Sequence, residues 1–163
     1  MAVPDKTIDP KILDCAKAEF LEKGYMNASL RQICANAGVT TGALYKRYSG
    51  KEALFKALVQ DVLDDIEKVI SDRHVDYSKE TLTDTQLYHM WTLTEGYLDW
   101  WYNFLLERKD AFTLLLKCSE GTQYQSFQHD LVERICEETY RCYTAAATRG
   151  LVRNDISRRE LHV

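Results

Sequence analysis

Apolar positions recur along this chain at intervals of three and four, and strict alternation is nearly absent. That period belongs to helices with one buried stripe. The first such stripe is Ile12, Leu13, Ala16 and Phe20. Asp9-Pro10 opens it, a capping side chain with Pro at the first helical position, and Gly24 closes it. A second, short helix is predicted over 29–37 with Leu30, Ile33, Cys34 and Ala37 inward, followed by Gly38, a residue suited to a left-handed turn. A third spans 40–48. A fourth, long helix spans 49–71 with Leu54, Phe55, Leu58, Val62, Ile66, Val69 and Ile70 on one side. Residues 74–81 are polar and read as a linker. Further helices are predicted over 83–107, 110–118 and 122–148, the last ended by Gly150.

Several of these starts carry a Ser or Thr followed three residues later by Glu or Gln, which satisfies free amides of a first turn. They are Ser29 with Gln32, Ser49 with Glu52, Thr83 with Gln86, Thr122 with Gln125 and Ser157 with Glu160. The last announces a helix that Val163 cuts short, since so few residues do not hold a helix alone. The expectation is a natural chain that continues, or a helix completed from outside. No internal repeat and no low-complexity segment interrupts the pattern.

The helical reading is compatible with one packed domain, or with a small domain joined to a larger one. The chain has 163 residues, of which 45% are hydrophobic, and only two prolines. No apolar run approaches the ~20 residues of a membrane helix. The N-terminus has no signal-peptide segment, so a cytoplasmic location is expected. The five cysteines are odd in number and lie in helical patterns, which suits reduced thiols. No spacing for zinc occurs, and no Gly-rich phosphate loop or nucleophile motif, so neither a metal, a cofactor nor an enzymatic role is expected.

Charge sharpens the picture in one place. The net charge is −4, yet no acidic residue lies between Glu22 and Glu52, where Lys23, Arg31, Lys46, Arg47 and Lys51 fall. A basic window on an acidic chain suits a confined contact with a polyanion, although an ordinary solvated face has the same composition. Within it, the helices over 29–37 and 40–48, joined through Gly38, have helix-turn-helix spacing. Ile33 and Leu44 would pack the pair together, with the small Cys34 where the helices approach.

Residues 12–58, ILDCAKAEFLEKGYMNASLRQICANAGVTTGALYKRYSGKEALFKAL, resemble the TetR family of transcriptional regulators. Cys34 stands where that family commonly has alanine, and Tyr48 where it more often has phenylalanine. The resemblance implies an all-α protein: a three-helix N-terminal helix-turn-helix DNA-binding domain (residues 1–50), then a helical ligand-binding and dimerisation domain (51–163). The C-terminal helices of the latter are expected to be missing from this chain. It implies a repressor released from a palindromic double-stranded operator by a small molecule, acting as a homodimer.

On that reading, the helix over 40–48 enters the major groove. Thr40 and Thr41 face phosphates or base edges, Gly42 gives clearance, and Ala43 meets a thymine methyl. Tyr45 and Lys46 project outward, while Leu44 and Tyr48 belong to the core. Lys51 pairs with a phosphate, and Ser29 and Arg31 add contacts from the preceding helix. The role of Arg47 is left open. For the ligand, assumed apolar or aromatic, the candidates are Trp91, Glu95, Trp101, Tyr124 and Phe127, set among many aromatic residues; the competing reading of such stripes is plain core. Two other functions are compatible with the residues: a helical adaptor that does not bind DNA, and a thiol-responsive regulator using Cys136 and Cys142.

Overall fold

The computed structural model describes residues 8–72, 83–89 and 95–161, and all of its elements are helices. They are α1 (Ile8–Asn27), α2 (Leu30–Ala37), α3 (Thr41–Tyr45), α4 (Lys51–Asp72), α5 (Asp84–His89), α6 (Glu95–Glu107), α7 (Lys109–Lys117), α8 (Phe127–Thr148) and α9 (Arg158–Leu161). They group into two compact units. The first holds the chain through Glu67 together with Leu105–Phe127; the second holds Lys68–Phe104 and Gln128–Val163.

In the first unit, α1 packs on α2 and on α7. Ile12, Ala16 and Phe20 are fully buried at four-residue spacing, the stripe the sequence predicts. Gly24 interrupts the helical backbone with φ 71° and ψ 164°, a region open essentially to glycine alone. The chain turns there, and the Tyr25 amide donates to the Cys118 carbonyl at 2.9 Å, joining α1 to the end of α7. On α4 the buried residues are Leu54, Phe55, Val59, Val62 and Ile66. Val59, not the predicted Leu58, takes the innermost position: the Phe55–Val59 step continues into Val62 and Ile66 on one stripe, leaving Leu58 half-buried.

An aromatic cluster closes this core. Phe20 meets Phe55 edge-on at 5.3 Å between centroids, Tyr25 meets Phe55 at 5.5 Å, and Tyr124 stacks on Phe55 at 6.1 Å. Arg108, at the start of α7, is clasped to α4: its Nε and Nη2 both lie 2.7 Å from Asp65 Oδ2.

The second unit buries Leu87, Phe104, Cys142, Tyr143 and Ala146. Its C-terminal segment is tied by Tyr143, whose hydroxyl donates to the Arg153 carbonyl at 2.8 Å and accepts from the Ile156 amide at 2.9 Å. Gly150, φ 71°, ends α8: its amide donates to the Ala147 carbonyl and the Leu151 amide to the Ala146 carbonyl. These two bonds form a Schellman termination. The Ser157–Glu160 cap forms, with Ser157 N and Oγ each 2.7 Å from Glu160 Oε2.

Two predicted boundaries change, and a third prediction is described only in part. The helix expected over 83–107 is described as α5 and α6, with residues 90–94 outside the described residues. The helix expected from Thr122 begins instead at Phe127. Thr122 spends its hydroxyl on a local turn, donating to the Ser119 carbonyl at 2.7 Å and accepting from the Tyr124 amide at 3.0 Å. That is the competing use of a capping side chain. The helix expected over 40–48 ends at Tyr45, because the Arg47 amide bonds three residues back to Leu44 and tightens the last turn.

Candidate nucleic-acid interface

Each helix of the 29–48 segment is started by a side chain and the turn between them is set by a glycine. Ser29 Oγ accepts from the Gln32 amide at 3.3 Å to open α2. Thr40 Oγ1 accepts from the Ala43 amide at 3.2 Å to open α3. Between them Gly38 has φ 67° and ψ 31°. Its amide donates to the Ala35 carbonyl and the Val39 amide to the Cys34 carbonyl at 3.0 Å, again a Schellman termination. Ile33 and Leu44 are fully buried, and Cys34 and Ala37 nearly so. The pair is therefore a packed helix-turn-helix with α3 as its second helix.

Burial of Leu44 fixes which face of α3 looks outward. Thr40, Thr41, Gly42, Tyr45 and Lys46 are exposed, Tyr45 by 56%, and Ala43 is half-buried. Ser29 and Arg31 are exposed at the start of α2. These eight residues are brought onto the helix-turn-helix surface. Tyr48 is half-buried, and that burial, with Asp9 adding to it, raises its phenol pKa.

Lys51 is half-buried and already engaged. Its Nζ donates to the Met26 carbonyl at 3.1 Å and the Ala28 carbonyl at 3.2 Å, and sits 4.6 Å from the Tyr25 ring centroid. It caps the end of α1, a role its sequence position did not reveal because the partners lie more than twenty residues away. Arg47 also turns inward. Its Nε lies 2.6 Å from Asp9 Oδ1 on α1, and its Nη1 donates to the Ala43 carbonyl at 3.3 Å.

A further residue went unnoticed in the sequence. Glu19, 3% exposed on α1, receives Lys23 Nζ at 3.0 and 3.1 Å and the Ser29 amide at 3.1 Å. The Ser29 amide is the donor that the Gln32 side chain would have satisfied in a capping box. Burial alone would raise the Glu19 pKa; the hydrogen bonds from Lys23 and the Ser29 amide outweigh it, and the carboxyl is held below its ordinary value. Glutamate at an otherwise apolar-facing position was the available signal.

The candidate ligand residues are distributed differently. Tyr124 belongs to the first unit, stacked on Phe55. Trp101 belongs to the second, half-buried and edge-on to Trp100 and Phe104 at 5.1 and 5.6 Å. Phe127 is half-buried at the first position of α8. Trp91 and the side chain of Glu95 lie outside the described residues. The first unit has an open groove of about 340 Å³ between the end of α1 and α7, lined by Tyr25, Met26, Thr113, Lys117 and Glu120 among others and by none of the candidates. Burial pushes the Cys34 and Cys118 thiols up, away from the reactive thiolate.

The packed pair, with Thr40, Thr41, Gly42, Tyr45 and Lys46 on its exposed face, defines a helix-turn-helix domain. The comparisons agree. Residues 12–58 match the family described as bacterial regulatory proteins, tetR family. The chain is 36% identical over 58 residues to the HTH-type transcriptional regulator UidR of Escherichia coli K12, covering 36% of this chain and 28% of that protein. It is 32% identical over 69 residues to the HTH-type transcriptional repressor DhaR of Mycobacterium sp. GP1, covering 42% of this chain and 35% of that one. The matched region thus spans about a third of these relatives or less.

Among solved structures, SCO3833 of Streptomyces coelicolor, a TetR-family member, shares the fold with a TM-score of 0.57 at 23% identity, over 98% of this chain and 72% of that one. A γ-butyrolactone receptor described as ArpA-like gives 0.58 at 19% identity, over 96% and 73%. The likeness to the tetR family is thus carried by residues 12–58, which hold the helix-turn-helix.

Proposed function

We propose that this protein is a DNA-binding transcriptional regulator that represses its target until a small molecule releases it. The observation that carries the reading is the outer face of α3. Thr40, Thr41, Gly42, Tyr45 and Lys46 stand exposed there, in a window without a carboxylate from residue 23 to 51. Small and hydroxyl side chains at a helix start permit close approach to phosphates and base edges, and the cations set the affinity. Ser29, Arg31 and Ala43 extend the contact, and Lys51 reaches a phosphate with the ammonium hydrogen its two carbonyl partners leave over. Repression is supported by the relation to DhaR, itself named a repressor.

Such a protein acts as a homodimer, because two recognition helices must enter successive major grooves about 34 Å apart. Residues 1–50 form the DNA-binding part and 51–163 the ligand-binding and dimerising part. The inducer is apolar or aromatic, and Trp101, beside Trp100 and Phe104 in the second unit, is a contact for it. It acts through α4, a single helix from Lys51 to Asp72, by favouring a state whose recognition helices are wrongly spaced. The coupling is bounded by the difference in the ligand's affinity for the two states. No enzymatic step is needed, and the site of action is the cytoplasm.

The test is a titration of the whole chain against DNA from its own promoter region at two salt concentrations. Binding to a palindromic segment that weakens steeply with salt supports the reading. Absence of salt-sensitive binding to any such segment overturns it.

A further inference from the structure

Arg47 lies in the basic window, yet the structure turns it away from the exposed face of α3. Its side chain is 20% exposed, with Nε 2.6 Å from Asp9 Oδ1 in the first turn of α1 and Nη1 on the Ala43 carbonyl. α3 has five residues. A helix of that length has no stability of its own and takes its position from its attachments. Thr40 caps its start and Leu44 anchors its buried face. Neither fixes rotation about the Leu44 anchor or the path of the chain after Tyr45. Arg47 does both, because it grips one of the last carbonyls of α3 and at the same time a carboxylate on another helix.

We propose that Arg47 and Asp9 form a positioning clamp that sets the orientation of α3 on DNA, with Arg47 acting through the helix and not through a phosphate. The proposal rests on the DNA-binding reading above. It makes a prediction opposite in sign to plain electrostatics. Asp9 is an acidic group beside a DNA-binding surface, so simple charge neutralisation says that removing it strengthens binding and frees Arg47 for the backbone. The clamp says that removing it weakens binding, because α3 loses its orientation.

The experiment uses the full chain and a duplex that it has itself selected from a random-sequence pool, titrated at several salt concentrations well below the melting temperature. Failure of the unaltered chain to select or bind any duplex overturns the DNA-binding reading; the remaining results bear on the clamp alone. Asp9→Asn is expected to weaken binding about two- to fivefold, the range for a partly exposed ion pair, with the salt slope unchanged. Arg47→Gln is expected to do the same, and the exchange Asp9→Arg with Arg47→Asp to recover most of the affinity. A gain in affinity for Asp9→Asn overturns the clamp. So does a salt slope lowered by about one unit in Arg47→Gln, the mark of a lost phosphate contact. Should Arg47→Gln fail to fold, Asp9→Asn, which replaces a half-exposed carboxylate by an amide of the same shape, decides the matter by its sign.

Discussion

An alanine Cβ at Gly42 would meet nothing of the chain nearer than Thr40 Oγ1, 3.9 Å away, and the backbone there is ordinary helix. Folding therefore tolerates Gly42→Ala, and helix propensity favours it by up to about 1 kcal/mol. Contact with DNA has the opposite demand, since the methyl group occupies the approach. The expected outcome is a melting temperature equal to or above the parent's together with at least a tenfold loss of operator affinity; unimpaired binding would show that Gly42 lies off the DNA. Glu19 separates folding from binding in another way. Its carboxyl is held below its ordinary value by Lys23 and the Ser29 amide, so the stability it contributes is complete above about pH 4.3, the unfolded carboxyl's pKa, and is lost as pH falls through the lower folded value. Glu19→Gln should be less stable at neutral pH and lose less further stability on acidification, as read from denaturant midpoints at a series of pH values. Equal acid sensitivity in both proteins would dismiss Glu19 as the titrating group.

Elements here are bounded by contacts of two kinds, and only one of them is local. Gly38 and Gly150 end α2 and α8 with the same pair of backbone bonds, and both could be marked in advance because a left-handed residue after a helix is nearly always glycine. Gly38→Ala is expected to cost about 1 kcal/mol from its positive φ, measured by chemical denaturation. The segment after Gly150 is held by Tyr143, buried on α8, through two hydrogen bonds to residues ten and thirteen positions on. Tyr143→Phe keeps the ring and removes both bonds. It should leave α8 folded and speed amide exchange at Ile156, whose N–H loses its acceptor, at a stability cost of about 1–2 kcal/mol. Unchanged exchange at Ile156 would mean that another group holds the segment. Thr122 shows the limit of local signals: the same Thr-to-Gln spacing that promises a cap here closes a turn, because Ser119 offers its carbonyl first.

For the molecule as a whole, the acidic net charge and the basic window make the proposed DNA binding a local affair that salt should expose. Of the five cations in the window, Lys23 is paired with Glu19 and Arg47 with Asp9, which leaves Arg31, Lys46 and the partly engaged Lys51. Three phosphate contacts predict a slope of log affinity against log salt of about −3 per protomer, doubled if two protomers bind together. A slope near about −4.5 per protomer would require that Lys23 and Arg47 also reach the backbone. Lys51→Met should lower the slope by about one unit and also lower stability, since it loses two carbonyls and the Tyr25 ring along with the phosphate.

The helical class, the helix-turn-helix and the outward face of α3 were legible from residue order alone, because period, caps and glycine turns act within a few positions. The stripe of Ile12, Ala16 and Phe20 and the anchor Leu44 were found for the same reason. What the residue order could not tell was the fate of individual charges. Lys51 and Arg47 share one basic run, yet folding sends the first to carbonyls of α1 and the second to Asp9, and it buries Glu19 under the first residue of the α2 cap. A charged side chain's partner depends on which distant groups the packed helices bring within about 3 Å, a distance no spacing along the chain encodes.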